Sequence, residues 1–436
     1  MHNGTYAVYF MLFVSLVLSR ASAGEFRHIN PKKILFGYEA TFQTANMSQE
    51  PQDVDIFATE EKMKLGRELI SALGAKVVSY RTHISFKPYW LVKTDSEKFK
   101  INMEPQVLEV TKGPVTFAEI KENWEPIYEA AEKVGFKPSV YIHGYRSGSG
   151  HFHVGANRLS ERVFVENPLL LRNLLVLLHQ NPSLLYGFAS GFEIGDADRN
   201  AFPYGDLLNR EEELRRGIAE FDEWYTANKG SPMAFPKLIE FLGNQTRILF
   251  EHNVFLNLEH VTEKQGTIEF RNIRPLKSIQ AVESIAYLLL KIMDYAATPD
   301  LLPFHSMKSK TLLVLSPQLL EENWRKMKRT LRIGKSIHSK TLDELIFDLT
   351  RSPQIETWNE RGYRFRQAFD RNGKHFLEVA RRIDSDHGKI PQIFWKGEKY
   401  DPVVSRDGEG NFWAIAVIRN RSGRLPRLDL LCSFLF

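Results

Sequence analysis

The stretch Gly150-His151-Phe152-His153-Val154-Gly155 alternates imidazole with apolar side chains between two glycines. In an extended strand alternate side chains share a face, so His151 and His153 point together while Phe152 and Val154 enter the core. Two imidazoles on one face can bind one metal ion. Three other segments repeat the design: Gly37-Tyr38-Glu39, Val107-Leu108-Glu109-Val110 and Thr267-Ile268-Glu269-Phe270-Arg271 each set a carboxylate between apolar neighbours. One His-x-His alone fits an ordinary strand as well as a metal site. Four such segments predict a polar sheet face with chemistry on it.

The chain has 436 residues, 43% hydrophobic and 25% charged. That is enough to bury a large core, and the length suggests about two or three domains. The 58 basic and 53 acidic residues leave a net charge of +5. So small an excess gives no reason to expect nucleic acid, although an anionic ligand is compatible with it. The single cysteine, Cys432, cannot form an internal disulfide, so stability must come from the core.

The apolar run from Tyr6 to Leu18, followed by Ala21-Ser22-Ala23 before Gly24, has the form of a secretory signal, although Met1-His2-Asn3 carries no Lys or Arg. Residues 1–23 are therefore expected to be a signal peptide and the protein to be secreted or periplasmic. No cysteine follows the run, so a lipoprotein anchor is excluded. The later apolar run Leu169 to Leu178 contains Arg172 and is far shorter than the roughly twenty residues of a membrane span. It reads as a buried helix, and the mature chain is expected to carry no transmembrane segment. Asn46-Met47-Ser48 and Asn244-Gln245-Thr246 fit the glycosylation pattern.

In chain order, Lys33 to Phe42 reads as a strand with Gly37, Glu39 and Thr41 on one face. From Thr59, Leu65, Leu69, Ile70 and Leu73 recur at helical spacing up to Gly74. Strands are expected at Ala75 to Tyr80, at Tyr89 to Lys93 and around Glu109. Thr116-Phe117-Ala118-Glu119 is a capping box opening a helix that Gly135 ends, with Pro126 inside it. A strand at Ser139 to Ile142 should turn at Gly144 to Gly150 and pair back onto the His151 strand. Helices are expected at Leu169 to Gln180, Glu211 to Asn228 and Ser278 to Tyr295, and a hairpin from Val254 to Val261 and Gly266 to Ile273. Glu321 to Lys340 holds seven Lys or Arg against two Glu. It is either a solvated basic face or a docking place for an anionic substrate or surface. Phe412 to Ile418 suggests a small terminal β element.

Taken together, Gly37-Tyr38-Glu39, Trp90 followed by Asp95-Ser96, the Glu109 strand ending near Pro114, His151-Phe152-His153-Val154 and Thr267-Ile268-Glu269-Phe270-Arg271 resemble the ordered motifs of the amidoligase family. That family belongs to the carboxylate-amine ligases sharing the glutamine synthetase fold, and the resemblance covers roughly residues 31 to 297. It implies an α+β protein with a curved antiparallel sheet, a concave active-site face and helices backing the other side. A smaller C-terminal α/β extension, 310–436, would follow the 31–297 catalytic domain. The resemblance makes Glu39, Glu109, His151 and Glu269 metal ligands, His153 and Arg271 catalytic residues, and Arg271 the residue that faces the phosphate of ATP. Carboxylate oxygens suit Mg2+, imidazole tips a site toward Mn2+, and Arg stabilises charge on a transferring phosphoryl group. The implied reaction joins a small-molecule or peptide carboxylate to an amine through an acyl phosphate. Two other readings use the same face: a metal-dependent hydrolase in which these residues activate water, and a degenerate member that only binds a partner. One departure is Thr41, which stands where the family's Gly-x-Glu-x-Glu pattern has its second acid; Glu104 could compensate. Loops at Ser147 to Gly150 and Glu193 to Gly205 are expected to set specificity.

Overall fold

Strand β1 (Leu35–Gln43) buries Phe36, Tyr38, Ala40 and Phe42 on one side and leaves Gly37 and Glu39 half-buried on the other. The alternation places it in the middle of a sheet with one apolar and one polar face. The computed structural model describes residues 26–44, 47, 59–82, 88–95, 97–104, 107–138, 150–155, 163–181, 211–245, 256–262, 266–271, 273, 275–305, 317–351, 357–360, 363–369, 375–383, 392–395, 398–400, 402–406 and 412–419. The expected signal segment, the Ser139 to Ile142 strand, Ser147 to Ser149 and Glu193 to Gly205 lie outside them.

On one edge of β1 runs β5 (Val107–Thr116), followed outward by β4 (Lys98–Glu104), β3 (Pro88–Lys93) and β2 (Lys76–Thr82). On the other edge lie β6 (Lys137–Pro138) and β7 (His151–Val154), the latter followed by β9 (Ile268–Phe270) and β8 (Leu256–Asn257). Among the described residues this is a nine-stranded sheet, and all its pairings are antiparallel. Both edges of β7 are taken, by β1 and β9. The hairpin expected between Ser139–Ile142 and the His151 strand falls on residues outside those described. Phe152 buries against Tyr38 of β1 with ring centroids 4.6 Å apart. The expected hairpin after Val254 does form as β8 and β9, but its strands are short, and a 3-10 turn at Glu259–Thr262 follows β8.

Helices cover the apolar face. Helix α1 (Glu60–Ala72) starts where Thr59 accepts from the Lys62 amide, as its capping chemistry requires. Helix α2 (Ile120–Val134) is preceded by a 3-10 turn at Phe117–Glu119, whose Thr116–Glu119 capping box is formed. Gly135 ends α2 in the left-handed conformation at φ 87. Trp124 of α2 meets Tyr38 edge-on at 4.7 Å, and Tyr128 donates to the Leu276 carbonyl at 2.9 Å, so α2 bridges β1 and the chain entering the central helix. Helices α3 (Pro168–Gln180), α4 (Glu211–Ala227), α5 (Ala234–Gln245) and α6 (Ile279–Ala296) complete the layer. Helix α6 is buried almost all round and packs on both α2 and α3. Among the described residues no helix is long and apolar enough to cross a membrane.

Arg172 explains how α3 can be buried with a charge in it. Its Nε donates to Asp222 Oδ1 at 2.8 Å, its Nη2 reaches the other carboxylate oxygen, and Nη1 donates to Asn173 Oδ1 at 2.9 Å and to the Leu302 carbonyl. A bidentate pair with its remaining donors satisfied removes the penalty of an unpaired buried charge.

Helices α7 (Pro317–Thr330) and α8 (Ile337–Arg351) follow, and α8 packs on α6. Trp324, Met327, Leu342 and Ile346 join the same hydrophobic core as the sheet. The helical start of the expected 310–436 extension thus continues the main core. Beyond it, β10 (Thr357–Glu360), β11 (Tyr363–Phe369), β12 (His375–Ile383), β15 (Val403–Arg406) and β16 (Phe412–Arg419) form a second antiparallel sheet, and β13 (Ile393–Trp395) pairs β14 (Glu398–Tyr400). This is a larger β element than the single run at Phe412 to Ile418 suggests.

The fit of α1 on the sheet depends on one glycine. A Cβ at Gly66 would lie 2.4 Å from the Trp90 indole, and Trp90 is buried at 3% exposure. Gly66→Ala is expected to lower stability by about 1–3 kcal/mol through overpacking, although alanine is the better helix former. Chemical denaturation measures it; an unchanged or raised stability would refute this account of the contact.

Candidate active site

Strand register alone brings the candidate residues together. Glu39 lies opposite His151, and Gly37 opposite His153, across the β1–β7 pair. His153 in turn lies opposite Glu269, and Glu269 opposite Asn257. On the far edge of β1, Thr41 faces Glu109, which faces Asn102 on β4. Directly opposed residues of antiparallel strands share a face, so Glu39, Glu109, Glu269, His151 and His153 stand on the polar side. Gly37 is small for a reason, since a Cβ there would lie 3.3 Å from that of His153.

The side chains are in contact. His151 Nδ1 is 2.9 Å from Glu39 Oε2 and 3.3 Å from Glu269 Oε1. His153 Nε2 is 3.3 Å from Glu39 Oε1 and 3.9 Å from Glu269 Oε1. Arg271 Nη1 donates to Glu269 Oε1 at 2.6 Å, and Asn257 donates to Glu269 Oε2 at 3.0 Å. An i, i+2 pair along a strand is expected to be imperfect. Arg271, just past the end of β9 at Phe270, nevertheless achieves a close one. Glu109 accepts from Asn102 at 2.7 Å and from Thr111 at 3.3 Å.

Burial by itself would raise the carboxylate of Glu39, but hydrogen bonds from His151 and His153, and their charge, hold it well below its ordinary range. Glu269 is likewise lowered: burial opposes, while His151, Arg271 and His153 supply the compensating charge. Burial would lower the imidazole of His153, yet the hydrogen bond and charge of Glu39, with Glu269 behind it, raise it. Three carboxylates thus share a face with one guanidinium and a histidine that prefers its proton.

This donor set suits a hard divalent cation. Ligand atoms of Glu39, Glu109 and His151 lie within 4.8 Å of one another, as do those of Glu39, His153 and Glu269. The two triads share Glu39. Carboxylate oxygens with one imidazole each are the chemistry of Mg2+ and Mn2+ sites. Thr41 is buried at 2% exposure beside Glu109. Glu104 pairs with Val107 at the end of β4 and belongs to neither triad among the described residues. Asp95 sits in the β3–β4 turn, at the other end of those strands from Asn102, and Trp90 serves the core.

Two residues that the sequence reading passed over hold the carboxylates in place, Asn102 and Asn257. The polar-apolar alternation Lys98-Phe99-Lys100-Ile101-Asn102-Met103-Glu104 does put Asn102 on the correct face. Asn257 stands alone between Leu256 and Leu258, so only its register with Glu269 reveals it.

Residues 36–202 match the family described as "Putative amidoligase enzyme (DUF2126)". The matched segment is less than half of the chain. It contains Glu39, Glu109, His151 and His153 and ends before Glu269 and Arg271, whereas the motif resemblance extends to residue 297. No curated protein matches the chain. A crystal structure of the complex between Prokaryotic Ubiquitin-like Protein Pup and its Ligase PafA is similar over 73% of this chain and 65% of that one, at 9% identity and a TM-score of 0.28. That is too loose a likeness to bear on the site.

The charge pattern fixes a pH dependence for the metal-free chain. Lowered carboxylates contribute stability above their ordinary value of 4.5 and lose it as pH falls through their lowered values. Raised His153 contributes below its ordinary 6.5 and loses that contribution as pH rises through its raised value. The site's contribution is therefore greatest between about 4.5 and 6.5. In chelator, wild type is expected to lose melting temperature above that window, and His153→Gln to lose less. Coincident profiles for the two proteins on the alkaline side would show that His153 carries no such charge.

Proposed function

We propose that the chain is an ATP-dependent carboxylate–amine ligase that works on the polar face of its antiparallel sheet, curved so that this face is concave. The observation that most supports this is the pair of carboxylate–imidazole triads sharing Glu39, most of it inside the amidoligase-family segment. Glu39, Glu109, His151 and Glu269 would hold one or two Mg2+ or Mn2+ ions, which when bound neutralise nucleotide phosphate oxygens.

The chemistry requires activation because a carboxylate attacked directly by an amine would have to expel oxide. Transfer of the γ-phosphoryl group to the substrate carboxylate gives an acyl phosphate and ADP. The amine then adds to the acyl carbon, the C–O bond to phosphate breaks, and an amide and inorganic phosphate result. Arg271 is held beside Glu269 with its planar fork on the reacting face, where it opposes charge on the transferring group. His153 favours its proton in the metal-free chain; with a cation bound beside it the imidazole would be neutral, and its Nε2 would then be placed to accept the proton the amine loses. Asn102 and Asn257 keep Glu109 and Glu269 in orientation. The substrates are a small-molecule or peptide carboxylate and an amine.

A thermal-shift titration tests the nucleotide requirement. ATP with Mg2+ is expected to raise the melting temperature beyond Mg2+ alone, with phosphate released only when both substrates are present. Stabilisation by metal alone with no further effect of ATP would favour the hydrolase reading of the same face.

Glu269 and Arg271 separate metal binding from phosphate chemistry. Glu269→Gln removes a formal charge from a hard-cation site and should weaken Mn2+ binding by about tenfold or more. Arg271→Lys should leave Mn2+ affinity nearly intact and lower turnover, because lysine lacks the bidentate fork. Calorimetric titration decides between this and a purely structural ion pair, under which both variants would bind metal as wild type does. We also propose export, with a mature chain beginning at Gly24. Mass spectrometry of exported protein should find that terminus, and a retained chain starting at Met1 would remove the export proposal while leaving the ligase one intact.

A further inference from the structure

The turn between α7 and α8 borders an open cavity of about 610 Å3 that shares no residue with the carboxylate–histidine face. Arg325, Lys328 and Arg329 of α7 and Arg332 and Lys335 of the turn line it, against a single carboxylate, Asp343 of α8. Lys328 Nζ reaches both oxygens of Asp343 at 2.9 Å, and Trp324 Nε1 donates to the same group at 2.7 Å, so that carboxylate is already committed. Among the described residues Arg329, Arg332 and Lys335 make no ion pair.

Two features make this more than a solvated basic surface. Arg325 and Arg329 are four residues apart on α7, and like charges at that helical spacing repel. The helix C-terminus favours cations in its last turn, which accounts for Lys328 and Arg329. It does not account for Arg332, which adopts the left-handed conformation at φ 53 and is the single non-glycine residue with positive φ among the described residues. There the Arg332 amide bonds Arg329 O at 3.2 Å and the Ile333 amide bonds Lys328 O at 2.9 Å, closing α7 in the manner of a Schellman turn. Glycine is the ordinary occupant of such a position, and arginine is strained in it. Strain of this kind persists only where the surrounding structure holds it, and such residues cluster at ligand clamps and switch regions.

We propose that this cavity binds a multiply charged, phosphate-bearing small molecule. Arg329, Arg332 and Lys335, which make no ion pair among the described residues, line one concavity of ordinary ligand size, and planar guanidinium groups match phosphate oxygens. A single concavity closed by one helical turn suits a compact anion better than an extended polymer, whose site would run as a stripe. The turn itself is built to survive loss of the charge, since Arg332→Gly relieves the strain while removing the guanidinium.

The test is calorimetric titration of the full chain with inorganic tripolyphosphate in EDTA, which silences any metal-dependent nucleotide site. Saturable binding is expected, at least tenfold tighter than inorganic phosphate. It should be weakened at least tenfold in Arg332→Gly, whose melting temperature should equal or exceed that of wild type, and kept in Glu269→Gln. Should Arg332→Gly fold poorly, Arg329→Gln carries the same expectation on an exposed helical position. Absence of saturable binding, unchanged affinity in the cavity variants, loss in Glu269→Gln, or tighter binding of an oligoglutamate peptide or a single-stranded oligonucleotide would each overturn the proposal. Because Glu269→Gln is read in the same titration, failure of this site is distinguishable from failure of the ligase reading.

Discussion

Everything on the polar face depends on the register of β7 against β1. With Glu39 opposite His151, Tyr38 falls opposite Phe152 and Phe36 opposite Val154, so the aromatic side of each strand meets the aromatic side of the other. A slip of β7 by one residue would turn both of its histidines into a layer containing Trp124, Phe36 and Phe42, while Glu39 stayed on the polar face without them. Burying two imidazoles there without partners costs several kcal/mol. It would also expose Phe152, which is now fully buried. The hydrophobic layer therefore enforces a geometry whose chemical consequence lies on the other side of the sheet.

That geometry gathers like charges, and the chain tolerates it by lending positive charge from its own side chains. Glu39 and Glu269 each sit between two imidazoles, and Glu269 also takes an arginine and an asparagine. The hydrogen-bonded cluster is satisfied without an ion. The proton favoured on His153 is nonetheless what a divalent cation would displace, since an imidazole must be neutral to ligate. On the proposed reading such a face would be assembled before a cation arrived, which is the preorganisation that electrostatic catalysis needs.

The polar face was legible in the sequence because period-two alternation is a local property. Each of the four segments announces its own face, and a central sheet with two-sided alternation leaves little freedom in how the faces combine. Helix starts were legible for the same reason, as Thr59 and Thr116 show. What was not legible depends on pairing between distant strands. Asn102 and Asn257 become partners of Glu109 and Glu269 only once registers set by separate loops are known. The family segment ends at residue 202, so Glu269 and Arg271 rest on the motif resemblance, strand parity and geometry.

The polar face and the basic cavity are built on opposite charge, yet one helix is common to both supports. Helix α6 packs on α2, which carries Trp124 against Tyr38 of β1, and the same α6 packs on α8. At that second contact His338 lies against Tyr287 with ring centroids 5.0 Å apart, and its Nδ1 is 3.3 Å from both Ser284 Oγ and Gln280 Nε2. Ser339, one residue on, lines the cavity and is buried. A displacement of the start of α8 would therefore have to break the stack on Tyr287 or carry α6 with it. Because α6 is buried on nearly every side, the cheaper course is for α8 to stay where it is and for the exposed arginine side chains to adjust. On this construction the cavity can change its occupancy without disturbing the register on which the carboxylate face depends.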